Sequence, residues 1–291
     1  ARYLQGHDAL YLDGLILLSS ALNMEAISFD PGNDLPYVLS LPSCAAVALY
    51  HGRLGDRRLL NLQKTLERAK TWALQDYISA LARGESLPPA QYDEVARKLA
   101  EYTGLGEDVI TRNNLRISTP DFTRELLRQE NQTLGLLDGR VTAPAVPFPR
   151  TWTDPSLFIV EGPFVAAFQD YVRTELGFRT DRRYIFLSDE ANESWKWSTG
   201  RPGYLNVAPK LADAMALDNH LRVFVAAGYY DLTTPFLSQE YVFDHLHLPA
   251  GLSRNITFKH YYAGHQIYTS TEALSQLTQD VRTFLTAPET R

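Results

Sequence analysis

Two short apolar runs near the C-terminus set the pattern of the chain. Leu221-Arg222-Val223-Phe224-Val225-Ala226-Ala227 ends at Gly228. Asn255-Ile256-Thr257-Phe258-Lys259-His260-Tyr261-Tyr262 ends at Ala263-Gly264. Apolar runs of this length, closed by Gly, predict buried strands. Phe236 to His247 between them reads as a helix, so the pair predicts parallel strands of an α/β sheet. A further buried strand is predicted at Gly14 to Ser20, and a short one at Tyr184 to Leu187.

Elsewhere the apolar spacing is helical. Ala1 to Leu12 reads as the tail of a helix, with Gly6 as its end or a kink. An Ala-rich helix covers Leu41 to Tyr50, and Pro42 and Ser43 stand at its start. Asp56 to Arg83 carries a stripe of Leu59, Leu62, Leu66, Ala69, Trp72, Ala73 and Tyr77, ended by Gly84. Gln91 to Thr103 follows, with Val95, Leu99 and Tyr102 on one face. Thr119-Pro120-Asp121 opens the next helix: a capping hydroxyl, a Pro at the first position, then an acid. Gly135 to Pro155, with Pro144, Pro147 and Pro149, reads as an extended surface loop. Phe164 to Leu176 and Val207 to Asp218 are helical. Thr269 to Leu285 closes the chain with a buried stripe of Leu274, Leu277, Val281 and Phe284.

This order divides the chain into three: a first core part at 1–29, a mainly helical insertion at 30–205, and a last core part at 206–291. The 291 residues are 45% hydrophobic and 21% charged, enough for a sizeable core. Net charge is −6 and no basic run stands out, which argues against a nucleic-acid partner. No apolar run reaches the roughly 18 residues of a membrane span. The single Cys44 excludes an internal disulfide. The opening, ARYLQGHDALYLDG, has neither a Met nor a charged-then-apolar start, so it reads as the inside of a longer protein.

The chemistry gathers behind the two C-terminal strands. Asp231 sits just past the first and His265 just past the second. In parallel sheets, sites form at the carboxyl ends of strands. Imidazole suits general acid–base work near neutral pH, and a carboxylate fixes its tautomer. Asp after one strand and His after a later one match the last two members of a Ser, Asp, His order. Taken singly, each residue also fits a packed histidine or a solvated turn.

The surrounding residues resemble a family. G-Y-Y-D-L-T-T-P-F at 228–236 and Y-x-A-G-H-Q-I-Y at 261–268 are similar to the Asp and His segments of the bacterial serine carboxypeptidases. L-P-S-C-A-A-V-A-L-Y-H-G-R-L at 41–54, K-L-A-E-Y-T-G-L at 98–105, N-L-R-I at 114–117 and D-A-M at 213–215 fit the same family. The resemblance implies an α/β-hydrolase core, here its later strands, with a cap insertion. It implies release of C-terminal residues from peptides through an acyl-enzyme, without metal or other cofactor. Asp231 and His265 would be catalytic, and Gln266 would help hold the substrate carboxylate. The resemblance favours an exported setting. The family's Gly-Glu-Ser-x-Gly elbow would lie upstream of Ala1, so this chain alone is expected to be inactive.

Substitutes for the nucleophile are weak. Gly251-Leu252-Ser253-Arg254-Asn255 ends in Asn, lies between Asp and His, and reads as a loop. Cys44 sits in a helix start and reads as a small buried hydrophobe. Ser19 and Ser20 end a strand without a tight turn into a helix. His245 and His247, two apart, do not share a helix face as metal ligands would. No G-x-G-x-x-G supports a dinucleotide. Trp195 and Trp197 read as cleft aromatics or as lid packing, with packing preferred for at least one. Two further functions fit the scaffold: a non-catalytic binding module, and another serine hydrolase such as an esterase or aminopeptidase. Retention of both Asp231 and His265 argues against the first.

Overall fold

The computed structural model describes residues 1–55, 61–145, 154–197 and 203–287. It is a mixed α/β chain. Its elements are helix α1 (Arg2–His7), strand β1 (Gly14–Leu18), and helices α2 (Leu35–Tyr50), α3 (Leu62–Trp72), α4 (Ile78–Arg83), α5 (Pro89–Thr103), α6 (Glu107–Arg112) and α7 (Thr119–Glu125). Strands β2 (Gln132–Leu134) and β3 (Thr142–Pro144) form an antiparallel hairpin. Helices α8 (Pro155–Thr174), α9 (Asp189–Ser194) and α10 (Ala208–Leu217) follow. Strand β4 (Arg222–Gly228), helix α11 (Phe236–Asp244), strand β5 (Ile256–Tyr261) and helix α12 (Thr271–Thr286) complete the chain.

Strands β1, β4 and β5 make a parallel sheet in the order β1-β4-β5. Leu15 pairs with Val223, and Val225 with Phe258. β4 is central, and Val223 to Ala227 are fully buried because helices cover both faces. On one face Val223 and Val225 join Val38, Leu39 and Val47 of α2 and Phe122 of α7 in one core. On the other, Phe224 and Ala226 pack with Leu277 and Phe284 of α12. The sheet thus sits between two helical layers. The first helices of the insertion share its core.

The flanking strands are less covered than their sequences predict. Ile16 and Leu18 on β1 are 41% and 38% exposed, while Leu15 and Leu17 face the core. Side chains alternate along a strand, and among the described residues nothing pairs with the far edge of β1. Only Tyr261 of β5 is fully buried.

Several boundaries move for identifiable reasons. α2 starts at Leu35, with Pro36 in its first turn, and Pro42 lies inside it. α3 starts at Leu62, capped by the Asn61 side chain; residues 56–60, including Leu59, lie outside the described residues. A π-helical turn at Ala73–Tyr77 joins α3 to α4, and Gly84 ends the run at φ +51°. Ser118, not Thr119, caps α7 by accepting from Asp121 N. Tyr184 to Leu187 is not a strand; it packs on aromatics of α8 with no strand beside it among the described residues. On α12, Leu274 is 43% exposed and Ala273 takes the buried position. No helix among the described residues is long and apolar enough to cross a membrane.

Candidate active site

The site forms where the carboxyl ends of β4 and β5 lie side by side. Gly228 ends β4 and approaches the Ala263 and Gly264 carbonyls too closely for any Cβ. Tyr229 N donates to Tyr261 O and Tyr230 N to Ala263 O, so the two post-strand turns are tied together. That brings Asp231 and His265, 34 residues apart, to 2.9 Å between Oδ2 and Nδ1.

Asp231 is fully buried, so its charge needs compensation. The turn that follows supplies it. Thr233 N and Thr234 N each donate to Oδ1 at 2.8 Å. Thr234 Oγ1 donates to Oδ2 at 2.6 Å and also lies 3.1 Å from His265 Nδ1. These contacts assign the tautomer. The Asp231 carboxylate can only accept, and the Thr234 hydroxyl reaches that carboxylate at 2.6 Å and the Ser19 carbonyl at 3.2 Å. Nδ1 must therefore carry the proton, which leaves Nε2 of neutral His265 as a base. The His265 side chain is 29% exposed, and Nε2 makes no hydrogen bond among the described residues.

Burial works against the imidazolium, but the Asp231 hydrogen bond and charge outweigh it and hold His265 above its ordinary pKa. Two consequences follow. The acid limb of any His265-dependent rate should lie above pH 6.5, measured as kcat/KM against pH. The same pairing stabilises the fold fully below the unfolded-state pKa of about 6.5, and that contribution is lost as pH rises through the folded value. An NMR titration of the His265 ring should show the raised midpoint, and Asp231→Asn should lower it.

Three further residues hold this pair, and their roles were not read from the sequence. Ser19, at φ +46°, donates from Oγ to the His265 carbonyl at 2.6 Å. It stands in a bend after β1 with no helix starting there, as the sequence indicates, and its hydroxyl is engaged. Gln239 of α11 donates to Thr234 O and accepts from Ser20 N. Asp154, which is buried, accepts from Leu136 N, Leu137 N and Ser156 N. It fixes the segment whose Leu137 carbonyl accepts from His265 N at 2.6 Å. The start of the 135–155 stretch is therefore no surface loop: it reaches the site between β2 and β3, while residues 146–153 lie outside the described residues. Asp154-Pro155-Ser156 is an N-cap signature that could have marked it.

Gln266 lines a cleft of about 180 Å³ with Val160 of α8 and Arg140. The Arg140 guanidinium is engaged twice by Asp138 and once by the Tyr262 carbonyl. Cys44 is buried, and burial pushes its thiol far up, which suits a core residue rather than a nucleophile. Ser253 sits in a short 3₁₀ turn before β5. His245 bonds the Tyr241 carbonyl, and no metal-holding cluster occurs among the described residues. Trp195 and Trp197 are 65% and 50% exposed, so neither packs a lid onto the core. The sequence also holds Gly84-Glu85-Ser86, the first three residues of the elbow motif, with Pro88 in place of its final Gly. It lies on the exposed turn after α4, with no strand before it and Ser86 Oγ bonded to Arg83 O.

Comparison with protein-family models, curated proteins and solved structures gives no match.

Proposed function

We propose that the chain carries the acid and base of a serine hydrolase of the α/β-hydrolase type, acting as a carboxypeptidase on peptides. One observation carries the reading: a buried, fully bonded Asp231 orients Nδ1 of His265, and both follow neighbouring parallel strands. The choice of carboxypeptidase rests on the motif resemblance at 228–236 and 261–268.

In this mechanism Nε2 of His265 removes the proton of a serine hydroxyl as its oxygen attacks the scissile carbonyl. The imidazolium, stabilised by Asp231, then protonates the leaving amine. Water, deprotonated by the same nitrogen, releases the acyl group and restores the serine. The serine would lie in polypeptide outside these 291 residues. The open edge of β1 is where further parallel strands would extend the sheet.

The test is hydrolysis of N-acyl dipeptides by the protein isolated from its source. Substrates with a free C-terminal carboxylate should be cleaved, and their amides should resist. The 291-residue chain alone should give no turnover above blank. Turnover by that chain, abolished by His265→Ala, would overturn the placement of the nucleophile.

A further inference from the structure

The segment 155–197 carries a surface that the proposed chemistry does not use. Among the described residues, eleven of the twenty-three exposed large apolar side chains lie on it, including Phe158, Tyr171, Phe178 and Ile185. Such a concentration marks an interaction site rather than ordinary surface. The segment folds back on itself. Tyr184 stacks on Phe168 with centroids 4.2 Å apart, and Phe186 lies 6.3 Å from Phe164. The returning chain therefore runs antiparallel to α8. A groove of about 670 Å³ lies between them, lined by the small residues Gly162 and Ala166 and by Phe158 and Ile185.

Charge separates along this arm. Its far end holds Arg173, Arg179, Arg182 and Arg183, against Asp170, Glu175 and Asp181. Its near end holds Glu161, Asp189, Glu190 and Glu193, against Lys196 alone. Glu161 and Arg173 are ~18 Å apart along the helix.

We propose that two copies of this chain pair through this arm, antiparallel about a two-fold axis near Ala166. That arrangement sets the basic end of each arm against the acidic end of its partner. It brings the groove faces of both copies, with Phe158, Ile185 and Leu187, into one self-complementary interface. Small residues at Gly162 and Ala166 let the two helices approach closely. Phe158, Ile185 and Leu187 beside the groove are each more than half exposed, so they supply the apolar centre of an interface whose standard size is about 800 Å² per copy.

The experiment is site-specific cross-linking of the intact source protein, with any cysteine outside these 291 residues replaced by Ser. Oxidation by copper phenanthroline should join two Ala166→Cys chains into a covalent dimer. It should leave Leu176→Cys chains, away from the axis, unjoined. Buried Cys44 stays silent. By sedimentation, Arg182→Glu with Arg183→Glu should weaken the dimer at least tenfold, and adding Glu190→Arg with Glu193→Arg should restore it. A monomer at 100 µM, equal cross-linking from both cysteines, or a dimer indifferent to charge reversal overturns the proposal. A monomer would mean that another part of the polypeptide, or a different partner, covers the groove.

Discussion

Replacing His265 by Ala in the source protein should lower kcat/KM by about 10⁴-fold or more while leaving the fold intact. The ring is partly exposed, and its Nδ1 is the only ring nitrogen with a partner among the described residues, so its removal costs little packing. What disappears is the acceptor at Nε2, on which the proposed serine activation depends. Asp231→Asn should cost a similar factor by a different route. An amide NH₂ in place of Oδ2 would oppose Nδ1–H, turn the imidazole to the wrong tautomer and remove the charge that stabilises its protonated form. Unlike His265, Asp231 also holds its own turn through Thr233 N, Thr234 N and Thr234 Oγ1. Asp231→Ala should therefore destabilise as well as inactivate, by about 3 kcal/mol, because buried donors lose their acceptor. A structural role for the pair would show the stability loss without the rate loss.

Gly264→Ala should lower stability by about 3 kcal/mol and Tm by about 10 °C. An added Cβ would stand 2.5 Å from Asp138 Cβ, 2.7 Å from Asp138 Cα, and closer still to the Leu137 carbonyl oxygen. Backbone atoms cannot swing aside as a flexible side chain can. The 136–138 segment, pinned by Asp154, would have to move away from His265. That breaks the bond from His265 N to Leu137 O. Activity should fall further than stability explains, because the segment sets the position of His265, the proposed base. Gly228→Ala meets the Ala263 and Gly264 carbonyls and should behave alike. Thermal melts and kcat/KM on the same samples separate the two effects.

What was legible in the sequence follows from local rules. β4 and β5, their closing glycines and the polar residues after them could be read because burial and turn chemistry act over a few residues. Helix ends at Gly84 and Gly104 were readable for the same reason. The start of α2 is hidden in the sequence because Pro42 resembles a first-turn residue, while the first-turn Pro is Pro36. The exposure of Ile16 and Leu18 depends on what lies beside β1, which no local pattern reports. Likewise Ser19, Gln239 and Asp154 reach the site through contacts with residues far along the chain. The approach of Leu137 to His265 crosses 128 positions and has no local signature.

The central claim is that Asp231 and His265 serve a serine nucleophile outside these 291 residues. Fluorophosphonate labelling of the intact source protein, followed by sequencing of the labelled peptide, tests it most directly. One labelled serine is expected, in sequence that precedes Ala1, with labelling suppressed by His265→Ala. Label on Ser20, Ser86 or Ser253, or no label on active protein, would contradict it.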